Sequence, residues 1–188
     1  MSFKKSVKFV VLFIVIAFPL CFFMLRIPGK SYLGLVPPVT EEQKLIRGQL
    51  RKDVTTLAGE IGDRNANTEY KNLCKAADFI EESFVDAGYK VTRQGYEASF
   101  SRIKGRECYN LEAEITASEK PDEIVLIGAH YDSREGTPGA NDNASGVAAL
   151  LALARAFADK KPARTLRFVA FTNEEHPYFQ TNDMGSLA

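Results

Sequence analysis

Ile124–Ala129 reads IVLIGA and runs straight into His130-Tyr131-Asp132. A Gly-rich loop follows, then Ser145–Ala158, SGVAALLALARAFA, and then Leu166–Phe171, LRFVAF, which runs into Thr172-Asn173-Glu174-Glu175. The first run has the composition of a strand buried on both faces of a sheet. The second is apolar nearly all round and reads as a buried helix. The third is another strand. Working outward, Tyr89–Tyr96 and Glu107–Ile115 alternate like half-buried strands. A helix is expected from about Glu69 to Ala87, with Leu73, Ala76, Ala77, Ile80 and Phe84 on one face and Gly88 as its C-cap. Another begins at the N-cap Thr40, repeats Ile46, Leu50, Val54, Leu57 and Ile61 at helical spacing, and ends at Gly59 and Gly62. Helices followed by strands that alternate with a helix give an α/β fold class, with helices layered on a sheet.

Ahead of this domain the composition changes. Residues 28–40 are rich in Pro and Gly and read as a linker. Residues 1–27 read as a signal anchor or transmembrane helix. Lys4, Lys5 and Lys8 precede an uncharged run of 17 residues, Phe9–Leu25, at the short end of what spans a bilayer. A cleaved signal peptide shares the basic start, but no A-x-A pattern follows. Lysines on the N-terminal side place that end in the cytoplasm and the domain on the extracytoplasmic, periplasmic or extracellular side. The 188 residues carry 24 Lys+Arg and 24 Asp+Glu, so no excess of positive charge argues for a nucleic-acid partner. Cys74 and Cys108 are left for the exported part, either as a disulfide or as two free thiols.

The chemistry sits at the strand ends, where open α/β sheets place their sites. His130 and Asp132 share a face of an extended strand, and a metal-binding imidazole usually donates its other N–H to a carboxylate. Asp142 precedes the buried helix and has two oxygens with which to bridge cations. Glu174 and Glu175 point to opposite sides if extended, leaving one to bind metal and the other to act as a base. Histidine with carboxylates, and no cysteine, fits a hydrolytic dinuclear zinc site. Taken singly, HxD, EE and an NDN turn are ordinary; their joint order on strand ends is the signal. The N-x-S match at Asn143 is set aside because it falls inside this site.

GAHYDS (128–133), PGANDNASGVAALLALAR (138–155) and LRFVAFTNEE (166–175), with MGS at 184–186, closely resemble the M28 family of zinc metallopeptidases. The resemblance runs from about Leu45 to Ala188 and includes the lead-in LAGEIGDRN. That family holds aminopeptidases, glutaminyl cyclases, carboxypeptidase-like members and a non-catalytic receptor ectodomain. The resemblance implies a three-layer αβα zinc-exopeptidase-like sheet, incomplete at the C-terminus, with residues 41–188 as the N-terminal part of the peptidase domain. It implies His130 as ligand of one Zn2+, Glu175 as ligand of the other, and Asp142 bridging both. Glu174 becomes the general base and Asp132 the residue that orients His130. In the family the peptide bond after the bridging aspartate is cis, here Asp142–Asn143.

The implied reaction is hydrolysis of a peptide substrate, most simply by an aminopeptidase. Zinc lowers the pKa of a water and Glu174 takes its proton. A glutaminyl cyclase on the same scaffold and a non-catalytic fragment are the alternatives. The family's remaining Asp and His ligands lie well downstream of the double glutamate, so the 188-residue chain alone is expected to be inactive. His176 reads as a pocket-rim residue rather than a substitute ligand.

Overall fold

The computed structural model describes residues 3–25, 29, 31–99 and 103–187. The chain divides into two compact units, residues 1–38 and 39–188. The first holds helix α1, Phe3–Leu25, with Pro19 inside it; Leu33 and Leu35 beyond it are fully exposed. The anchor expectation meets a limit here: among the described residues no helix is long and apolar enough to cross a membrane. The uncharged part of α1 is 17 of its 23 residues, short of the ~20 that a bilayer core requires. Residues 1–2, 26–28 and 30, which the anchor and linker assignments include, lie outside the described residues.

The second unit follows the sequence closely at its start. Helix α2, Glu41–Val54, begins at Thr40, whose Oγ1 accepts the Gln43 N–H while the Gln43 side chain accepts the Thr40 N–H. Two otherwise orphaned donors are thereby satisfied. The chain continues as a wider helical turn, Thr55–Ile61, and stops at Gly62, whose φ is 79°. Helix α3 spans Tyr70–Asp86 and buries Leu73, Ala76, Ala77, Ile80 and Phe84, the face expected from periodicity. Helix α4, Ser145–Phe157, buries Val147, Ala148, Leu150, Leu151 and Ala154. Its other side, with Leu153, is exposed, so the helix is covered on one side rather than all round.

Among the described residues four strands make one mixed sheet: β1, Val91–Glu97; β2, Glu107–Ile115; β3, Lys120–His130; and β4, Arg164–Phe171. Their order is β1-β2-β4-β3. β1 and β2 are antiparallel, as are β2 and β4, while β3 and β4 run parallel with His130 opposite Phe171. The parallel register matters because it brings the ends of β3 and β4, and the acids beyond them, to one edge of the sheet.

One sheet face carries Leu111, Ala113, Leu166, Phe168 and Ala170, which share a core with the buried faces of α3 and α4. Phe168 meets the Tyr89 ring edge-on at 5.8 Å, and the Tyr89 hydroxyl donates to Ala154 O at 2.7 Å. The opposite face differs. Arg167 there donates to Glu114 at 2.6 Å, and toward the site end Asn110 is covered by the turn at Gly185. The described elements thus form two layers, and the third layer of the expected sandwich is not among them.

IVLIGA also departs from expectation. Ile124, Val125 and Leu126 are 47%, 42% and 53% exposed, not buried on both faces. The reason is position: among the described residues β3 lies at the edge of the sheet, with β4 alone beside it.

Candidate metal centre

The site is built from three chain segments that the β3–β4 pairing brings together. His130 is the last residue of β3. Its side chain is 11% exposed, with Nε2 3.0 Å from Asp142 Oδ1 and 3.6 Å from Glu174 Oε2. On its other side Nδ1 lies 3.4 Å from Asp132 Oδ1, beyond the range of a good hydrogen bond, and this buried nitrogen has no closer partner.

Asp132 is nearly fully buried and does more than face the imidazole. Its Oδ1 accepts the Glu174 N–H at 3.1 Å and its Oδ2 accepts the Glu175 N–H at 3.0 Å. One carboxylate therefore fixes the main chain of both glutamates. The residue before them, Asn173, has φ 55° and is buried, with Nδ2 donating to Tyr96 Oη and Cys108 Sγ, both at 3.2 Å. Burial pushes the Cys108 thiol up to about 11, so it is a packed neutral group. All three cysteines are free thiols.

Asp142 sits in a tight turn before α4. Gly139 has φ 53° and ψ 49°, and its carbonyl accepts the Ala144 N–H at 3.0 Å. A Cβ at 139 would lie 2.5 Å from Asp142 O and 2.6 Å from Ser133 Cβ, so only glycine fits. The Asp142–Asn143 bond is cis, as the resemblance implied. Asp142 itself is exposed, its side chain 72% accessible.

The electrostatics are those of an acid cluster around one imidazole. Burial alone would lower the His130 pKa, but Asp132, Glu174 and Asp142 outweigh it and push it up to about 9. Burial raises Glu175, and the charges of Asp142 and Asp132 raise it further. Carboxylates crowded in this way are relieved by a cation, and one imidazole among carboxylates suits a divalent metal of borderline hardness. Among the described residues, no group of three or more such side chains is arranged as a ready metal cluster. His130 and Asp142 instead bond to each other.

Sequence reasoning singled out His130, Asp132, Asp142, Glu174 and Glu175, and all five lie at this end of the sheet. It missed the double clamp by Asp132, and it missed Asn173 and Arg64. The buried Arg64 donates to Tyr131 O at 2.6 Å and to Pro138 O at 2.6 Å, beneath the turn that carries Asp142. No periodicity marks it; a lone arginine in LAGEIGDRN looks like surface.

Residues 110–185 match the sequence model described as Peptidase family M28. The uncharacterized protein YfbL of Escherichia coli is 38% identical over 146 residues, which covers 73% of this chain and 43% of YfbL. A probable zinc metalloprotease of Pyrenophora tritici-repentis is 49% identical over 71 residues, 34% of this chain and 16% of that protein. The chain therefore spans less than half the length of these relatives. Among solved structures, an aminopeptidase from Aneurinibacillus sp. strain AM-1 has a TM-score of 0.59 at 17% identity, over 69% of this chain and 63% of that one. A Porphyromonas gingivalis glutaminyl cyclase has a TM-score of 0.62 at 22% identity, over 74% and 50%. At these identities the structures speak for the fold alone. The match to peptidase family M28 thus lies over β2, β3 and β4 and the turns between and beyond them that carry His130, Asp142, Glu174 and Glu175.

Proposed function

We propose that the whole protein is a zinc-dependent exopeptidase, foremost an aminopeptidase. His130, Asp142 and Glu175 hold metal, Glu174 is the general base, and Asp132 orients His130. The observation that carries this is the convergence of Asp142 Oδ1 and Glu174 Oε2 on His130 Nε2, at 3.0 and 3.6 Å, with Asp132 behind Nδ1. Zinc held by His130, Asp142 and Glu175 would polarise the scissile carbonyl and acidify a water. Glu174, held by its main chain to Asp132, takes the proton from that water and returns it to the leaving amine. Asp132, 3.4 Å from Nδ1, would keep the His130 ring oriented with Nε2 on the side of Asp142 and Glu174.

Three ligands shared between two metal positions leave each with about two, whereas catalytic zinc usually has three from protein. The 188-residue chain by itself should therefore bind zinc weakly and turn over little substrate. Attachment to a membrane through residues 1–27, with the domain outside the cytoplasm, is part of the same proposal. It is supported by the lysines ahead of the uncharged run, and cell fractionation tests it.

The decisive experiment has two arms. Zinc titration of the chain by calorimetry should show binding that His130→Ala abolishes. In the whole protein, Glu174→Gln should keep zinc while hydrolysis of leucine-p-nitroanilide falls roughly 10²–10⁴-fold. Retained turnover in Glu174→Gln would sink the assignment. The fold is shared with a glutaminyl cyclase, which favours one second reading: cyclisation of N-terminal glutamine at the same site. Peptides beginning with glutamine, assayed beside the leucine substrate, separate the two.

A further inference from the structure

We propose that Arg64 is a positioning residue of the metal centre, tying the end of β3, with His130 and Asp132, to the turn that leads into Asp142. The inference rests on the zinc reading above.

Arg64 is 0% exposed. A guanidinium carries five N–H donors and no acceptor, and leaving them unpaired in the interior would be costly. Here they go to main-chain carbonyls. Nε donates to Tyr131 O at 2.6 Å; Nη1 to Pro138 O at 2.6 Å, Gly62 O at 3.1 Å and Leu57 O at 3.3 Å; Nη2 to Gly139 O at 3.1 Å. Asp132 and Asp63 supply the nearby negative charge that offsets part of the cost of burial. The main chain at 64 is tied in as well: its N–H donates to Ser133 Oγ at 3.1 Å, and its carbonyl accepts the Ser133 N–H at 2.9 Å.

The acceptors fall in three places, and two of them matter for the site. Tyr131 lies between His130 and Asp132. Pro138 and Gly139 open the turn that ends at Ala144, and Gly139 O is shared between Arg64 and the Ala144 N–H. Asp142 lies inside that turn. One rigid planar group thus grips both anchors of the 3.0 Å contact between His130 and Asp142. A lysine has one nitrogen and cannot span both anchors.

A plain structural staple would give the same bonds, so the test must separate stability from positioning. Arg64→Met and Arg64→Lys are compared in the full chain with Arg155→Met. The last breaks the 2.6 Å pair between Arg155 and the buried Asp53 and destabilises the domain from elsewhere. Amide exchange of the metal-free proteins is followed by mass spectrometry, and zinc affinity by calorimetry. Arg64→Met should speed exchange across residues 131–144 while β2 and β4 keep their protection, and zinc affinity should fall about 10–100-fold. Arg64→Lys should fall between Arg64→Met and the parent. Arg155→Met should lose stability yet bind zinc within about twofold of the parent, since distant sites do not couple.

The proposal is overturned if Arg64→Met binds zinc as the parent does, if Arg155→Met loses as much affinity, or if exchange rises uniformly. If Arg64→Met does not fold, Arg64→Lys carries the same comparison, and failure of both to fold makes Arg64 a general structural residue. A parent chain that binds no zinc sinks the zinc reading alone; the exchange pattern then still decides whether Arg64 fixes the loop.

Discussion

Replacing Asp132 with alanine removes the one side chain that holds both glutamates. Asp132 is buried, and its oxygens accept the N–H groups of Glu174 and Glu175 at 3.1 and 3.0 Å. Each is a hydrogen bond to a charged acceptor, worth about 1.5–3 kcal/mol net, and each leaves a donor without its partner when the carboxylate goes. Two such bonds give about 3–6 kcal/mol. A water entering the vacated space recovers part of this, so the expected loss is near the lower end, about 3 kcal/mol. That is a large fraction of a typical domain stability of about 5–15 kcal/mol. Asp132→Asn keeps one oxygen but turns an amide donor toward one of the two N–H groups, so it should lose about half as much. Urea unfolding followed by circular dichroism measures both variants. With an m-value of about 2 kcal/mol/M, Asp132→Ala should lower the midpoint by about 1.5 M. An unchanged midpoint and m-value in Asp132→Ala would refute the clamp and reduce Asp132 to a partner of the imidazole.

Three further outcomes are expected. Gly139→Ala forces a Cβ within 2.5 Å of Asp142 O at φ 53°; it should cost at least about 2 kcal/mol and weaken zinc binding, read by thermal unfolding and calorimetry. Phe168→Ala empties the core between β4 and Tyr89, where the side chain is fully buried; about 3–5 kcal/mol of stability should be lost in urea. Leu126→Lys acts on the exposed edge strand, so stability should move by less than about 0.5 kcal/mol while light scattering shows slower aggregation of the purified chain.

What the sequence revealed, and what it hid, divides by the range of the interactions involved. The Thr40 cap, the buried face of α3 and the Gly62 stop were legible because each depends on residues within a few positions. The site acids were legible by type and by their place at the ends of apolar runs. The sheet order was not, because β4 inserts between β2 and β3 through pairings that join distant segments. That order also explains the misreading of IVLIGA. Its composition suits burial on both faces, yet cover is supplied by neighbours, and among the described residues β3 has only β4 beside it.

Arg64 is the extreme case. Its acceptors at Tyr131, Pro138 and Gly139 lie 67 to 75 residues away, and they are main-chain carbonyls, which every residue carries and no sequence letter marks. A carboxylate partner would have left a trace as an opposite charge. Carbonyl partners leave none, so the residues that do the chemistry can be read from the sequence while the group that spaces them becomes visible only in the folded chain. For the same reason, its contribution is expected to show as lost spacing between His130 and Asp142 rather than as a missing charge. That is why lysine, which preserves the charge but not the fork, is the informative replacement.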